Sequence, residues 1–298
     1  MLDRNDVLAF GQSRSRLLGL AYRILGSWAD AEDAVQDSFL KWQGTDRGLI
    51  ENPAAWLTTA CTRRCIDMLR APSRARVDYV GPWLPEPIQT SMADVPAERL
   101  SLASTLSTAF LLMLERLTPK ERAAYLLHDI FEMPYPEIAQ TLDLQESTCR
   151  KLVSRARENL AQSKVRHVTP AARQEELLAA FEAAIANGRA DSLAGLLSDE
   201  IELSADSGGK VPTIQQILHG KTAVLAFLAH ARQWWNTYDW VAAEINGTRG
   251  IILRKDGVTT ASISFAYDES GAVSDIYIMR NPDKLSRWHE ARPLEGGD

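Results

Sequence analysis

Four prolines fall between positions 82 and 96 of this 298-residue chain, in a stretch that begins Tyr79-Val80-Gly81-Pro82-Trp83-Leu84-Pro85-Glu86-Pro87. Proline lacks a backbone donor and its ring clashes with the preceding helical turn, so no long helix runs through this segment. The pattern predicts a linker over 79–100 that parts the chain in two. Its Tyr79, Trp83, Leu84 and Ile88 are too apolar for a solvated tether. They predict that the linker docks on a folded surface.

Both flanks are patterned for helix. Upstream, Leu17, Leu18, Ala21, Ile24 and Leu25 recur at the spacing of one helical stripe, as do Ala31, Ala34, Val35, Phe39 and Leu40. Asp30 is expected to N-cap the second of these helices, with Asp33 in its first turn. Asn52-Pro53 opens a third helix with proline at a tolerated early position, and Ala71-Pro72-Ser73 stops it. Downstream, helix resumes at about 101–117, and Thr118-Pro119-Lys120-Glu121 reads as a capped helix start. A short helix over 137–142, a turn at Asp143-Leu144-Gln145 and a longer helix over 147–163 form a helix-turn-helix pattern, whose second helix suits a major groove.

Past Thr169-Pro170 the pattern changes class. Helices are expected over 171–187, over 191–197 with Asp191 as cap, and over about 220–233. A strand carries Ile201, Leu203 and Ala205. Three further strand runs, 248–254, 258–267 and 272–280, are separated by Lys255-Asp256-Gly257 and Asp268-Glu269-Ser270-Gly271, both hairpin signals. Helices followed by an antiparallel meander make an α+β domain.

Charge narrows the function. The net charge of −6 belongs wholly to residues 170–298, with 12 basic and 18 acidic side chains, whereas residues 1–169 carry 21 of each. Within that neutral part the signs are sorted: five Arg and one Asp over 61–76, six Lys or Arg and one Glu over 147–167, and four acids with no base over 30–37. Two separated basic runs beside an acidic one suit an anionic polymer and a separate protein partner, although a solvated helix face produces similar runs. The 52–70 helix combines Trp56 with Arg63, Arg64 and Arg70. Cations can follow a phosphate backbone while an aromatic supports unstacked bases, yet a lone tryptophan is more often a core residue.

Other classes fall away. The apolar runs are far shorter than the roughly 18–20 residues needed to cross a bilayer, and the N-terminus lacks the features of a secretion signal. Cys61, Cys65 and Cys149 are an odd, sparse set that does not read as a disulfide framework. A cytoplasmic protein is expected. Cys61 and Cys65, four apart with no histidine nearby, read as buried thiols rather than half a zinc site, so no metal or other cofactor is implied.

Several motifs together resemble one family. Leu20-Ala21-Tyr22-Arg23-Ile24-Leu25-Gly26-Ser27, then Ala29-Asp30-Ala31-Glu32-Asp33-Ala34-Val35-Gln36-Asp37, with Pro53-Ala54-Ala55-Trp56-Leu57 and Ile66-Asp67-Met68-Leu69-Arg70, resemble domain 2 of the bacterial extracytoplasmic-function (ECF) sigma factors. The run from Leu117-Thr118-Pro119-Lys120-Glu121-Arg122 to Val153-Ser154-Arg155-Ala156-Arg157 resembles their domain 4. The linker motif, Asp206-Ser207-Gly208-Gly209-Lys210-Val211 and Asn281-Pro282-Asp283-Lys284-Leu285 resemble the subgroup with a fused SnoaL-like C-terminal domain. The resemblance covers nearly the whole chain. One departure is Ser207, where the subgroup carries a glycine, which questions the geometry of that loop.

The resemblance implies a multidomain fold. Two all-α sigma domains, a helical bundle over 1–78 and a helix-turn-helix domain over 101–168, precede an α+β SnoaL-like cone over 170–285, with helices packed on a curved antiparallel sheet and a tail over 286–298. It implies that Asp30, Glu32, Asp33, Gln36, Asp37, Phe39 and Leu40 dock on the β′ clamp helices of core RNA polymerase, with the β subunit as a further contact. Trp56, Arg63, Arg64, Asp67, Arg70, Arg74 and Arg76 would read and open the −10 promoter element. Ser147, Thr148, Arg150, Lys151, Ser154, Arg155 and Arg157 would read the −35 element. The regulatory contact would join Trp83, Leu84, Pro85, Glu86 and Pro87 to Asp206, Gly208, Gly209 and Lys210 and to Asn281, Pro282, Asp283, Lys284 and Leu285. Such packing would hold the DNA-reading domains at a spacing unsuited to a promoter, to be shifted by polymerase or a small-molecule ligand in the C-terminal pocket. By resemblance the free protein is a monomer.

An enzymatic C-terminal domain is the competing reading. Asp206, His219, His230 and Asp239 are available polar groups, but no spacing marks them as a catalytic set, and Trp234, Trp235 and Trp240 suit a core better than a pocket. A stand-alone helix-turn-helix regulator is the other alternative, which the acidic helix around Asp30–Asp37 argues against.

Overall fold

The computed structural model describes residues 4–46, 50–71, 79–90, 104–161, 169–187 and 193–290. Arg74, Arg76 and the expected helix start at Asp191 lie outside the described residues. Two compact units emerge, one from residues 1–77 with 113–163 and one from residues 78–112 with 164–298. Among the described residues no helix is long and apolar enough to cross a membrane.

The first unit is helical: α1 (Arg4–Leu25), α2 (Trp28–Gln43), α3 (Pro53–Arg70), α5 (Pro119–Tyr125), α6 (Tyr135–Leu142) and α7 (Glu146–Ala161). A further helix, α4 (Thr108–Leu114), spans the division of the chain at residues 112 and 113. Most of both expected stripes forms its core, with Leu17, Leu18, Ala21, Ile24, Leu25, Ala31, Ala34 and Val35 all buried, whereas Phe39 is half-buried and Leu40, at the end of the second stripe, faces outward. Ser27 rather than Asp30 caps α2, its hydroxyl accepting from the Asp30 amide at 3.3 Å. Asp30 sits in the first turn, where its charge still complements the helix dipole. Asn52 caps α3 with proline at the first position. Thr118 and Glu121 exchange both bonds of a capping box at α5. A π-helical turn, Leu126–Ile130, continues α5.

The second unit is a six-stranded sheet in the order β2-β1-β6-β5-β4-β3, built from β1 (Leu197–Asp206), β2 (Leu218–His219), β3 (Asp239–Ile245), β4 (Thr248–Lys255), β5 (Val258–Tyr267) and β6 (Val273–Met279). Helices α8 (Ala171–Asn187) and α9 (Lys221–Trp235) cover one face, with Leu177, Phe181, Leu228 and Trp235 packed on Ile201, Leu203, Ile263 and Phe265. On the second face Leu84 of the linker, Ala109, Leu285 and Trp288 pack on Ala243, Ile252 and Tyr277.

Four differences from the sequence reading stand out. The sheet is mixed rather than antiparallel, because β1 pairs with β6 in parallel. The segment expected to be helical over 191–197 already enters β1 at Leu197. A fifth long strand, β3, which the sequence pattern does not announce, joins β4 through Asn246-Gly247, both at positive φ, the geometry of a two-residue hairpin turn. The packed domain also runs past the expected boundary at 285, since a 3-10 turn, Ser286–Glu290, follows α10 (Pro282–Leu285) and buries Trp288.

Candidate nucleic-acid interface

The helix-turn-helix is made by α6 and α7, with Asp143 in the left-handed conformation closing α6. Cys149, Val153, Ala156 and Leu160 form the buried face of α7 at helical spacing. Ser147, Thr148, Arg150, Lys151, Ser154, Arg155 and Arg157 are all exposed. They are not equivalent. Arg150 pairs with Glu146 one turn earlier and lies over the Tyr135 ring, 4.4 Å from its centroid. Ser154 donates to Glu158 at 3.0 Å. Arg157 makes a two-point fork on Asp129, Nε to Oδ2 at 2.9 Å and Nη2 to Oδ1 at 2.7 Å. That hydrogen bond raises its already high pKa, and it ties α7 to the π-helical turn.

In α2, Asp33, Gln36 and Leu40 are exposed and fall on one helical face, with Leu40 55% accessible. Glu32 accepts from the Trp28 indole at 3.3 Å. Phe39 packs on Phe10, ring centroids 4.4 Å apart. Asp37 is engaged by Arg64 at 2.7 Å.

The α3 residues divide likewise. Trp56 is half-buried against Trp42, ring centroids 5.3 Å apart, so its ring belongs partly to the core. Arg63 reaches α6, where Nε donates to the Thr141 carbonyl and Nη2 to the Gln140 carbonyl, each at 2.8 Å. Arg64 is on Asp37, while Asp67 and Arg70 are exposed. Cys61 and Cys65 are both buried, and burial, then the neighbouring Cys61 thiol, pushes the Cys65 pKa well up.

In the second unit the linker, the 206–211 loop and the 281–285 turn converge on Asp206, which is fully buried. Its carboxylate accepts from Tyr79 Oη (2.5 Å), the Leu84 amide (2.8 Å), the Gly208 amide (3.0 Å) and Lys284 Nζ (2.7 Å). Lys284 also donates to the Leu84 carbonyl at 2.6 Å and lies 4.5 Å from the Trp83 ring centroid. Asn281 caps α10 and donates to Tyr79 Oη at 3.0 Å. Lys210 pairs with Asp283 across the rim. The Trp288 indole donates to the Pro87 carbonyl at 3.0 Å, and Glu86 is buried beside Arg287. Ser207 does not strain the loop: the positive φ values fall on Gly208 and Gly209, and the Ser207 hydroxyl accepts from the Gly209 amide at 3.2 Å.

The polar groups considered for catalysis are not brought together. Asp206 is in the clamp, His219 pairs with Glu202 at 3.1 Å, exposed His230 packs edge-on against Trp234, and Asp239 opens β3. Trp235 and Trp240 join the core with Phe181, whereas Trp234 is half exposed. Sequence reasoning missed Asn246, a second fastening point of the linker: its amide side chain accepts from the Ile88 amide at 2.8 Å and donates to the Leu106 carbonyl at 3.0 Å.

The family comparisons fit this layout. Sigma-70 region 2 matches residues 9–75 and Sigma-70, region 4 matches residues 107–160. The ECF RNA polymerase sigma factor SigJ of Mycobacterium tuberculosis is 33% identical over 292 residues, covering 94% of this chain and 93% of the relative. The chain is an ECF sigma factor. As such it binds core RNA polymerase and directs it to promoter DNA. SigI of the same species is 29% identical over 279 residues, 93% of each chain. The crystal structure of M. tuberculosis SigJ superposes with a TM-score of 0.73 at 31% identity, covering 94% of this chain and 98% of that one. This sigma factor thus shares its whole domain order, C-terminal α+β domain included, with that relative.

Proposed function

We propose that this sigma factor reads the −35 element with α7 and the −10 element with α3 and the basic stretch after it, docking through α2 on the β′ clamp helices with the β subunit as a further contact. The observation that carries it is the exposed face of α7, which gathers Ser147, Thr148, Arg150, Lys151, Ser154 and Arg155 opposite its buried face. Hydroxyls and Arg or Lys are the groups that read base edges and hold phosphates. The exposed Asp33, Gln36 and Leu40 supply acid and apolar contact for a basic protein surface. Transcription with purified core polymerase tests it: Arg150→Ala lowers output most on templates that depend on the −35 sequence, and equal loss on all templates would refute that role.

The C-terminal domain acts as a built-in regulator through the Asp206 clamp, which fastens the linker to the 206–211 loop and the 281–285 turn. Chains ending after Thr169 and just before Asn281 are expected to differ from full length in transcription; unchanged output from both removes the regulatory role. Mass spectrometry of molecules retained by the purified protein looks for a small-molecule ligand of this domain. The protein works in the cytoplasm and is a monomer when free.

A further inference from the structure

We propose that Arg280 is an anion receptor in the C-terminal domain: it takes the carboxylate of a small aromatic acid, and binding there tightens the Asp206 clamp. The inference rests on the reading of that domain as a built-in regulator and names the class of ligand it answers to. Arg280 directly follows β6. Alternation along the strand sets its side chain on the side of Ile276 and Ile278, in the helix-covered core, and opposite Met279 on the linker face. There it is partly buried. Its Nη1 donates to the Pro212 carbonyl at 2.7 Å. Its Nε is shut off from water and meets no acceptor.

A guanidinium is a flat fork of five donors that stays charged. With Nη1 engaged, the side-on edge formed by Nε and Nη2 is the one a carboxylate grips with two parallel bonds. Asp129 grips Arg157 by that edge in this same chain. Arg280 has no carboxylate partner among the described residues. Burial lowers its pKa, and the Tyr238 phenol offsets part of the effect. Charged groups seldom leave water unpaired. Buried Arg122 and Lys284 each hold a carboxylate, Glu115 at 2.8 Å and Asp206 at 2.7 Å.

The surroundings of Tyr238 select the body of the ligand. The Tyr238 amide and the Trp240 indole both donate to the Trp235 carbonyl, at 3.1 and 3.2 Å. The Trp235 and Trp240 ring centroids lie 6.3 Å apart. Lys255 brings a second cation, its Nζ 5.7 Å from the Tyr238 ring centroid. Aromatic faces beside one guanidinium fork suit a flat acid of single charge. A phosphate, wholly polar and more highly charged, would lose more hydration there.

Backbone geometry joins this fork to the clamp. The Arg280 amide donates to the Asp206 carbonyl at 2.6 Å, and Pro212, held by Nη1, closes the far end of the 206–211 loop. The next residue, Asn281, caps α10 and donates to Tyr79. The segments that aim the fork are therefore those that close the clamp. A ligand gripping the fork binds best when they are in place, which shifts the balance towards the closed clamp.

Full-length wild type and Arg280→Met are titrated with sodium benzoate or with benzamide, its neutral isostere, and hydrogen exchange at the Leu84 amide is followed. At about ten times its Kd, benzoate is expected to slow that exchange about tenfold in the wild type. Benzamide should have no effect, and Arg280→Met should not respond to either. Arg280→Lys keeps the charge without the fork and should need about tenfold more benzoate. No response of the wild type up to about 50 mM benzoate, the result if water alone serves Nε, overturns the proposal. So does an equal response to benzamide, which needs no variant, or an equal response in Arg280→Met. Inorganic phosphate acting as strongly as benzoate overturns the assignment to a carboxylate. If benzoate slows exchange but leaves transcription with core polymerase unchanged, the site stands and the regulatory reading falls.

Discussion

Lys284 sets its ammonium 2.7 Å from the carboxylate of Asp206 where that carboxylate is fully buried. Three further donors, Tyr79 Oη and the Leu84 and Gly208 amides, complete the acceptor's shell. A buried charge with all its lone pairs answered is tolerated; one stripped of its counter-ion is not.

Lys284→Met should therefore loosen the clamp by about 3 kcal/mol, the lower end for breaking a buried pair because the neutral donors remain. Native-state hydrogen exchange at the Leu84 amide checks it. That proton is bonded to Asp206 and should exchange faster in the variant, while amides in α1 and α2 keep their rates.

Gly208→Ala should cost more than Gly257→Ala. Both sites have positive φ, but a Cβ at Gly208 would stand 2.4 Å from Asn281 Nδ2, whereas nothing lies within 4 Å at Gly257. The left-handed backbone alone costs an alanine about 1–2 kcal/mol. The clash adds to that at position 208 and should displace Asn281 from Tyr79, and thermal unfolding of the two variants gives the difference.

Among the α7 cations, Arg155→Ala and Lys151→Ala should each lower the salt dependence of promoter binding by about one unit of slope. Arg157→Ala should leave that slope nearly unchanged, because its guanidinium is committed to Asp129. Its cost falls on stability and stays within about 1 kcal/mol, as for other exposed pairs. Binding of the polymerase complex across a salt series separates the two kinds of arginine.

Asp275 predicts a pH effect. Burial, with Glu202 adding, raises its carboxyl above the usual range, partly countered by the Ser274 and Tyr277 hydroxyls. A carboxyl with a raised folded pKa binds its proton more tightly in the folded chain, so its contribution grows as pH falls through that pKa and is lost as pH rises. Asp275→Asn should stabilise the protein at neutral pH, with the gain shrinking towards pH 4; urea midpoints at both pH values test the sign.

Much of the helical half was legible because each element carried its own punctuation. Thr118 and Glu121 announce a capping box, and Asn52-Pro53 a helix start, through local chemistry that tertiary packing left alone. Local chemistry also misled: Asp30 is a good cap, but Ser27 lies at the position where the chain turns in. Strand β3 was missed since Ala242, Ala243 and Glu244 have little β preference and owe their state to pairing with β4, even though Asn246-Gly247 advertises the turn that follows. Parallel pairing of β1 with β6 leaves no trace in either strand. The clamp residues were readable from the motif resemblance, whereas the engagement of Arg63 was not, because its acceptors are backbone carbonyls that any side chain could carry.

The linker has one more consequence. Gln89 bridges Ile245, and the Thr90 amide donates to the Glu244 carbonyl, so residues 88–90 cover the C-terminal end of the outer rim of β3. An uncovered rim of this kind invites pairing with another chain. Anyone grafting this C-terminal domain onto a different transcription factor would have to carry residues 79–112 with it. A chimera joined at Pro170 keeps every strand yet loses the segment that caps the far end of the outermost one, and its first failure would be self-association.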